Sequence, residues 1–281
     1  MKTHVLTSSD GIKIALHDFL GTGEPLLFLH GTGFPSLSYI PLIKNFTEYF
    51  SCYSLDLRGH GRSEDSPTGY AWQGFLDDVT TTIQFINRPV SIFAHSLGGA
   101  LALRVSLDFK EQIRSIYCYE PIVFTDIISD SDLNDHQLQL MKKIQLKKES
   151  FTSRDEIYDR YAARGAFARL DSECLNEYIN HAFLEDREGF HLRTKPASEG
   201  LMYCLGRCPD LLSRLGQIQV RTRLSAGLLD MEGPAKYIPE IRKLIPNSTS
   251  KDFALLSHLG PLENPLSVAD DVLRFLLNNQ N

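Results

Sequence analysis

The hydrophobic pattern divides the chain into short apolar runs and longer segments with helical spacing. The apolar runs are PLLFLH (25–30), CYSLDL (52–57), VSIFAH (90–95), SIYCYE (115–120), RLSAG (223–227) and KDFALLS (251–257). Apolar residues with helical spacing occupy 37–49, 71–87, 97–109, 235–244 and 266–278. Uniformly apolar strands that alternate with helices predict an α/β fold, in which a mostly parallel sheet carries helices on both faces.

Two segments depart from this alternation. Residues 3–20 alternate polar and apolar positions around Ser9-Asp10-Gly11, which predicts a β-hairpin with a tight turn. Between 125 and 215 the sequence is polar and amphipathic, with no run typical of a strand. We therefore predict an all-helical cap over residues 125–215, which covers the carboxyl edge of the sheet, where such folds bind ligands. The core would then consist of residues 1–124 and 216–281.

Composition narrows the class of protein. A chain of 281 residues that is 42% hydrophobic buries enough apolar surface to fold without disulfides or metal. The net charge of −6 argues against a nucleic-acid partner, because phosphate binding needs clustered cations. No apolar stretch approaches the ~20 residues that span a bilayer. The five cysteines lack a C-x-x-C pair and are interpreted as free thiols. We expect a cytoplasmic protein without a membrane span; a homodimer through an apolar cap face stays open.

A candidate nucleophile lies in Ala94-His95-Ser96-Leu97-Gly98-Gly99, which follows an apolar strand and opens a helix. This context is typical of a nucleophile elbow, the sharp turn that exposes a serine hydroxyl. The usual pattern is G-x-S-x-G, and Ala94 replaces its first glycine. The alternative is that Ser96 only caps the helix.

An oxyanion hole would need two N–H donors near Ser96. The residue after the nucleophile, Leu97, supplies one, and the loop His30-Gly31-Thr32-Gly33 supplies the other, with Thr32 as the expected donor. A plain glycine turn is the alternative for this loop. We interpret the segment 56–63, DLRGHGRS, as a structural support, and expect no catalytic role for His60 because it precedes Ser96 in the chain.

A base and an acid are expected after Ser96 in chain order. His258 follows the last apolar run and precedes the final helix, so it is the candidate base. Asp230, three residues after the strand that ends at Gly227, is the favoured acid, which would orient the imidazole. Glu120, at the end of the run 115–120, is the alternative acid.

These motifs together resemble the serine branch of the α/β-hydrolase superfamily. The matching segments are HGTG (30–33), DLRGHGRS (56–63), AHSLGG (94–99), GLLD (227–230) and HLGPLENP (258–265). The resemblance implies an eight-stranded, mostly parallel sheet with an antiparallel N-terminal hairpin, and a substrate pocket between sheet and cap. It implies no metal and no organic cofactor.

A serine nucleophile indicates acyl chemistry, and the leading hypothesis is hydrolysis of a small-molecule carboxylic ester through an acyl-enzyme. Phe34, Phe124 and Tyr203 are candidate substrate-binding residues of an apolar pocket. One alternative is carbon–carbon bond hydrolysis of a diketone-type acid, with a cap arginine at 164, 169 or 193 as its anchor. Another is a receptor that binds a ligand without turnover. Thioester, lactone and amide substrates also stay open.

Overall fold

The main sheet has the predicted α/β arrangement. The computed structural model describes residues 1–229, 231 and 233–278. The strands are β1 Lys2–Thr7, β2 Lys13–Asp18, β3 Glu24–Leu29, β4 Phe50–Asp56, β5 Val90–His95, β6 Ile113–Tyr119, β7 Ser150–Phe151, β8 Phe183–Asp186, β9 Gly189–Leu192, β10 Arg221–Gly227 and β11 Ser248–Phe253. Eight of them form one sheet in the order β1-β2-β4-β3-β5-β6-β10-β11. The pairs β1–β2 and β2–β4 are antiparallel, and the others are parallel.

Helices cover both faces of this sheet. The helices of the described residues are α1 Ile40–Ile43, α2 Trp72–Ile86, α3 Leu97–Val105, α4 Asp130–Ile144, α5 Arg154–Ala162, α6 Ser172–Ala182, α7 Pro196–Tyr203, α8 Leu211–Arg214, α9 Ile238–Leu244, α10 Gly260–Glu263 and α11 Pro265–Leu277. Buried residues of α2, α3 and α9 belong to one apolar cluster, and those of α1, α6 and α11 belong to a second. On β3, Leu27 joins the first cluster and Phe28 the second. Because neighbouring strand residues point to opposite faces, a strand buried on both sides must be apolar throughout.

The predicted N-terminal hairpin is present. β1 pairs with β2 in a register that sets Leu6 opposite Ile14, and Gly11 in the turn has a φ of +90°. The predicted helix over 37–49 is shorter than expected: a 3-10 turn, Ser36–Tyr39, leads into the four-residue α1. Pro41 lies in the first turn of α1, and the side-chain amide of Asn45 donates to the Pro41 carbonyl, 2.8 Å away.

The segment 125–215 is not all helical, which corrects the prediction. Besides α4 to α8 it holds a small antiparallel sheet in the order β7-β9-β8. These strands have two to four residues, too short for an alternating pattern to stand out in the sequence. Their buried residues Phe151, Phe183 and Phe190 belong to the same apolar cluster as α6. Packing of large side chains therefore stabilises strands that local pattern did not predict.

Candidate active site

Ser96 occupies a strained turn between β5 and α3. Its φ is 55° and its ψ is −114°, a conformation that non-glycine residues rarely adopt. The turn is held by the Ser96 amide, which donates to the Tyr119 carbonyl at 3.0 Å, and by the Gly99 amide, which donates to the Ser96 carbonyl at 3.0 Å. Backbone strain of this kind costs on the order of 1–3 kcal/mol and clusters at functional sites. The turn has the geometry of a nucleophile elbow.

Small residues around Ser96 let the surrounding elements approach closely. A Cβ added at Gly98 would lie 2.5 Å from the Leu29 carbonyl oxygen, and one at Gly99 would lie 2.7 Å from the Pro121 Cβ. Ala94 is fully buried in β5, between strands β3 and β6. The structure therefore accommodates the methyl group that departs from the usual G-x-S-x-G pattern.

His258 connects Ser96 to a buried carboxylate. Its Nε2 lies 3.1 Å from Ser96 Oγ, and its Nδ1 lies 2.7 Å from Glu120 Oε2. Because the carboxylate accepts a hydrogen bond from Nδ1–H, the proton stays on Nδ1 and the lone pair of Nε2 is directed at the serine hydroxyl. This arrangement allows His258 to take a proton from Ser96.

Glu120 is held rigidly at the carboxyl end of β6. Its side chain is fully buried, its φ is 44°, and its amide donates to the Ser225 carbonyl at 2.9 Å. Its second carboxylate oxygen, Oε1, accepts the Gly227 amide at 2.8 Å. The sequence analysis favoured Asp230 as the acid, but Asp230 lies outside the described residues. The carboxylate that meets His258 is the alternative acid, Glu120.

Two backbone amides beside Ser96 are available as donors. A Cβ added at Gly31 would lie 3.1 Å from the Ser96 Cβ, so the loop 30–33 passes directly beside the serine. In the described part of the chain, the amides of Thr32 and Leu97 donate to no protein atom. Four neighbouring amides already donate hydrogen bonds. The Gly31 amide donates to Tyr39 Oη (3.4 Å) and the Gly33 amide to His60 Nε2 (2.9 Å). The Gly98 amide donates to the His30 carbonyl (3.2 Å) and the Gly99 amide to the Ser96 carbonyl (3.0 Å). The two predicted oxyanion donors are thus the ones left open.

Two buried histidines shape the loop that carries Thr32. His30 donates from Nδ1 to the Gly31 carbonyl at 2.8 Å, and its Nε2 accepts the Leu57 amide at 3.0 Å. His60 accepts the Gly33 amide through Nε2. Burial lowers the pKa of His60 to about 3, and it also lowers the pKa of His30. Both rings are therefore neutral and can act as acceptors, which gives His60 a structural place in the loop.

The segment 56–63 is fixed by ionic contacts of its own. The carboxylate of Asp56 accepts the Ser36 amide at 2.8 Å and the Arg62 amide at 2.9 Å. Arg58 forms a buried ion pair with Asp78, with 2.7 Å between Nη2 and Oδ1. These contacts fix the segment, and the hydrogen bonds of Leu57 to His30 and of Gly33 to His60 connect it to the loop 30–33, which agrees with its interpretation as a support.

His95 supports the backbone of His258, a role that the sequence analysis did not predict. The Tyr39 hydroxyl lies 2.6 Å from His95 Nδ1, and His95 Nε2 lies 2.7 Å from the His258 carbonyl oxygen. A carbonyl only accepts, so Nε2 carries the proton and Nδ1 accepts from Tyr39. Burial holds the pKa of His95 well below its ordinary value. The only sequence signal was a histidine directly before Ser96.

A cavity of about 740 Å³ opens at Ser96 and His258, and Thr32 is part of its wall. Core residues and residues of 125–215 both line it, and Phe34, Phe124 and Tyr203 are among them. The predicted anchors at 164, 169 and 193 are not among its lining residues. Gln137, which the sequence analysis passed over, is one of them; a polar residue between Leu133 and Leu140 on the apolar face of α4 was the available signal.

Comparison with known proteins identifies the family of this fold. The model of the alpha/beta hydrolase family matches residues 26–270. The chain belongs to the alpha/beta hydrolase family. Its fold is shared with the crystal structure of an E-2-(acetamidomethylene)succinate hydrolase, at a TM-score of 0.81 and 19% identity over 98% of both chains. An esterase of Exiguobacterium antarcticum superposes with a TM-score of 0.75 at 17% identity, over 98% of this chain and 100% of the esterase.

Curated relatives match only a part of the family fold. The (E)-2-((N-methylformamido)methylene)succinate hydrolase of Acinetobacter baylyi is 34% identical over 95 residues, which are 34% of this chain and 36% of that protein. The 2-(acetamidomethylene)succinate hydrolase of Mesorhizobium japonicum is 29% identical over 111 residues, 38% of this chain and 40% of its own length. The match thus spans about two fifths or less of the length of these relatives.

The described residues include no candidate membrane span and no candidate metal cluster. None of their helices is both long and apolar enough to cross a membrane. Within the same part of the chain, no group of three or more histidine, cysteine, aspartate or glutamate side chains is arranged to hold a metal ion.

Proposed function

We propose that this member of the family is a serine hydrolase of carboxylic esters, in which Ser96 is the nucleophile and His258 the general base. The observation that carries the proposal is the chain of hydrogen bonds from Ser96 Oγ through His258 to Glu120, with separations of 3.1 Å and 2.7 Å. A nucleophile, a base within reach and a group that orients the base are the parts that acyl transfer requires.

The first half of the reaction forms an acyl-enzyme. Ser96 Oγ attacks the ester carbonyl carbon while its proton passes to His258 Nε2. The resulting oxyanion accepts hydrogen bonds from the amides of Thr32 and Leu97. When the tetrahedral intermediate collapses, the bond to the alcohol oxygen breaks and His258 returns the proton to the leaving alcohol. The acyl group stays on Ser96.

Water completes the cycle. His258 takes a proton from a water molecule, whose oxygen attacks the acyl carbon of the ester on Ser96. The second tetrahedral intermediate uses the same two amides, and its collapse returns the proton to Ser96 and releases the carboxylic acid. Throughout, Glu120 accepts a hydrogen bond from the Nδ1–H group of His258 and stabilises the imidazolium. Each step proceeds with the side chains and amides named, and requires no cofactor.

The cavity supports a small or medium acyl substrate. Its volume of about 740 Å³ lies within the range of pockets for small molecules, and its wall is largely apolar. We propose that Phe34, Phe124 and Tyr203 contact the substrate. We also propose that residues 125–215 act as the cap, since α4 and α7 of that segment contribute residues to the wall of the cavity that contains Ser96.

The carbon–carbon hydrolase alternative has less support from the site. Two relatives are named as hydrolases of substituted succinates, which carry carboxylates. A buried carboxylate needs a cation beside it. Among the described residues that line the cavity, Lys236 is the one with a permanent charge, and its side chain is exposed. An ester with an uncharged apolar part fits this wall better.

The test combines active-site labelling with ester turnover. A fluorophosphonate probe should label the wild-type protein at Ser96, and p-nitrophenyl esters should be hydrolysed. Ser96→Ala should lose labelling and lower kcat by about 10⁴-fold or more, as serine triad deletions do. Ser38→Ala is the matched control, since Ser38 is buried outside the cavity wall and its hydroxyl has no hydrogen-bond partner among the described residues.

The possible results separate the hypotheses. Turnover by Ser96→Ala within tenfold of the wild-type rate would rule out Ser96 as the nucleophile. A folded wild-type protein that binds esters with neither labelling nor turnover would favour the receptor alternative. A preference for diketones over esters would favour carbon–carbon hydrolysis.

A further inference from the structure

The apolar wall of the cavity contains one buried polar side chain on helix α4. Gln137 is only 7% exposed and lies on the same helix face as Leu133 and Leu140, which also line the cavity. The opposite face of the helix carries exposed polar residues such as Gln139. The amphipathic pattern of the helix predicts an apolar residue at position 137. A buried amide at this position lowers the stability of the fold unless the amide is hydrogen-bonded.

The side-chain amide of Gln137 is without a hydrogen-bond partner among the described residues. In the described part of the chain its side chain makes no hydrogen bond, although it offers two N–H donors and a carbonyl acceptor. The side-chain oxygen and nitrogen of Gln137 are not sealed from solvent, since neither belongs to the fully buried polar atoms that lack a partner. Because the residue lines the cavity, the cavity is where this amide can be reached. A molecule bound there would satisfy it.

A second polar group without a hydrogen-bond partner among the described residues, a hydroxyl, lies on the neighbouring helix. α7 packs against α4, and Cys204, which directly follows α7, has its Sγ 3.8 Å from the main-chain carbonyl oxygen of Gln137. Tyr203, one residue before Cys204, is partly buried and lines the same cavity. Its hydroxyl also makes no hydrogen bond in the described part of the chain. Burial raises the pKa of Tyr203, so its phenol keeps the proton and remains a donor.

Charge decides what kind of group these two side chains would bind. Gln137 and Tyr203 are both uncharged, and neither could neutralise an anion in an apolar wall. Lys236 is exposed at the cavity and lies over the ring of Tyr237, 5.0 Å from its centroid. An oxygen without charge, in a hydroxyl or a keto group, would accept from Tyr203 and from the amide of Gln137. A substrate hydroxyl would also donate to the side-chain carbonyl oxygen of Gln137.

We infer that Gln137 and Tyr203 form a subsite for an uncharged oxygen on the apolar part of the substrate, which makes the preferred substrate a hydroxy- or keto-substituted acyl ester. The inference rests on the proposed ester hydrolysis at Ser96 and adds to it a substrate class. Discrimination arises because the unsubstituted ester leaves the buried amide without a partner, whereas the substituted ester satisfies it.

The experiment compares kcat/KM for p-nitrophenyl octanoate with kcat/KM for octanoates that carry one hydroxyl or keto group at successive chain positions. The readout is the ratio of the substituted ester to the parent ester. For the wild-type protein we expect a ratio of about 10 to 100 at the best position. Gln137→Leu should reduce that ratio to about 1 to 3, because the amide that distinguishes the two esters is gone.

Two further variants complete the design. Tyr203→Phe removes a single oxygen and should lower the ratio at the same chain position, which tests the subsite even where Gln137→Leu disturbs the helix. Gln139→Leu makes the same chemical change on the exposed face of α4, and should keep the wild-type ratio.

The outcomes distinguish the subsite from the reaction. A wild-type ratio below 3 at every position, with Ser96-dependent hydrolysis of the parent ester, overturns the subsite and leaves ester hydrolysis standing. A high ratio that survives in both Gln137→Leu and Tyr203→Phe also overturns the subsite. If no ester shows Ser96-dependent turnover, both proposals fail together.

Discussion

At the scale of single residues, the partner of His258 Nδ1 determines how the imidazole faces Ser96. Glu120 directly follows β6, the strand next to β5, and its two oxygens bind His258 and the Gly227 amide. A carboxylate in this position keeps the proton on Nδ1 and stabilises the positive charge that develops on the ring. Because the carboxylate is fully buried, its hydrogen bonds are its main compensation for lost water.

Replacing this carboxylate by an amide should slow catalysis without unfolding the protein. We expect Glu120→Gln to lower kcat by up to about 10⁴-fold, since the amide can favour the wrong imidazole tautomer. KM should change little, because Glu120 is not part of the cavity wall. Steady-state kinetics with a p-nitrophenyl ester measures both constants, and circular dichroism checks the fold.

Two control variants make this result specific. Glu185→Gln changes an exposed side chain of β8 and should leave kcat unaltered. Asp230→Asn tests the acid that the sequence favoured. A near-normal rate for Glu120→Gln together with a large loss for Asp230→Asn would assign the acid to Asp230.

At the scale of elements, the contact between α3 and β3 positions the nucleophile. Gly98 lies in the first turn of α3, and a Cβ there would come 2.5 Å from the Leu29 carbonyl oxygen and 2.7 Å from the Leu29 Cβ. The strand cannot yield easily, because it is paired on both sides, with β4 and with β5. The helix that begins beside Ser96 is thus held at the closest distance that backbone atoms allow.

A methyl group at Gly98 should move this helix and reduce both stability and rate. We expect Gly98→Ala to lower the free energy of unfolding by about 1–3 kcal/mol, the usual cost of overpacking. A shift of Ser96 relative to His258 should also lower kcat by about tenfold to a hundredfold. Chemical denaturation and ester kinetics measure the two effects.

Gly216 provides the control for this change. It lies in the 3-10 turn Leu215–Gln217, where an added Cβ would meet only the Leu244 carbonyl oxygen, at 3.7 Å. Gly216→Ala should change the free energy of unfolding by no more than about 0.5 kcal/mol. Equal destabilisation by the two variants would show that the contact at Leu29 is not the cause.

At the scale of the whole molecule, buried neutral histidines make stability depend on pH. Burial lowers the pKa values of His30, His60 and His95 in the folded protein, to about 3 for His60. In the unfolded chain a histidine titrates near its ordinary value of about 6.5. Between these values the unfolded state binds protons that the folded state does not. Stability is therefore complete above about pH 6.5 and decreases as the pH falls below it.

We expect urea unfolding to show this decrease between pH 7.5 and pH 5. Each of these histidines contributes up to about 1.4 kcal/mol per pH unit below its unfolded pKa. His60→Gln should make the slope shallower by one such contribution. His136→Gln, at an exposed position of α4, should leave the slope as it is. A free energy of unfolding that stays constant from pH 7.5 to pH 5 would contradict the expectation.

Local pattern carried most of the information about the core. Apolar runs predicted the positions of β3, β5 and β6 to within about two residues, because a strand buried on both faces has few alternatives to Leu, Ile, Val and Phe. The order of motifs also placed Ser96 at a strand-to-helix turn, since small residues such as Gly98 are required where backbones nearly touch. These requirements act between near neighbours, so the sequence shows them directly.

Features that depend on distant contacts were decided by the tertiary structure. The small sheet β7-β9-β8 forms because buried phenylalanines far apart in the chain pack together. Which carboxylate bonds to His258 depends on the strand end that the loop 257–260 approaches. That contact is far from local, because 138 positions separate Glu120 from His258. Both Glu120 and Asp230 follow strands, so chain order could not choose between them. In the sequence, Gln137 is likewise one of several polar residues of α4. Only the tertiary structure places it in the wall of the cavity.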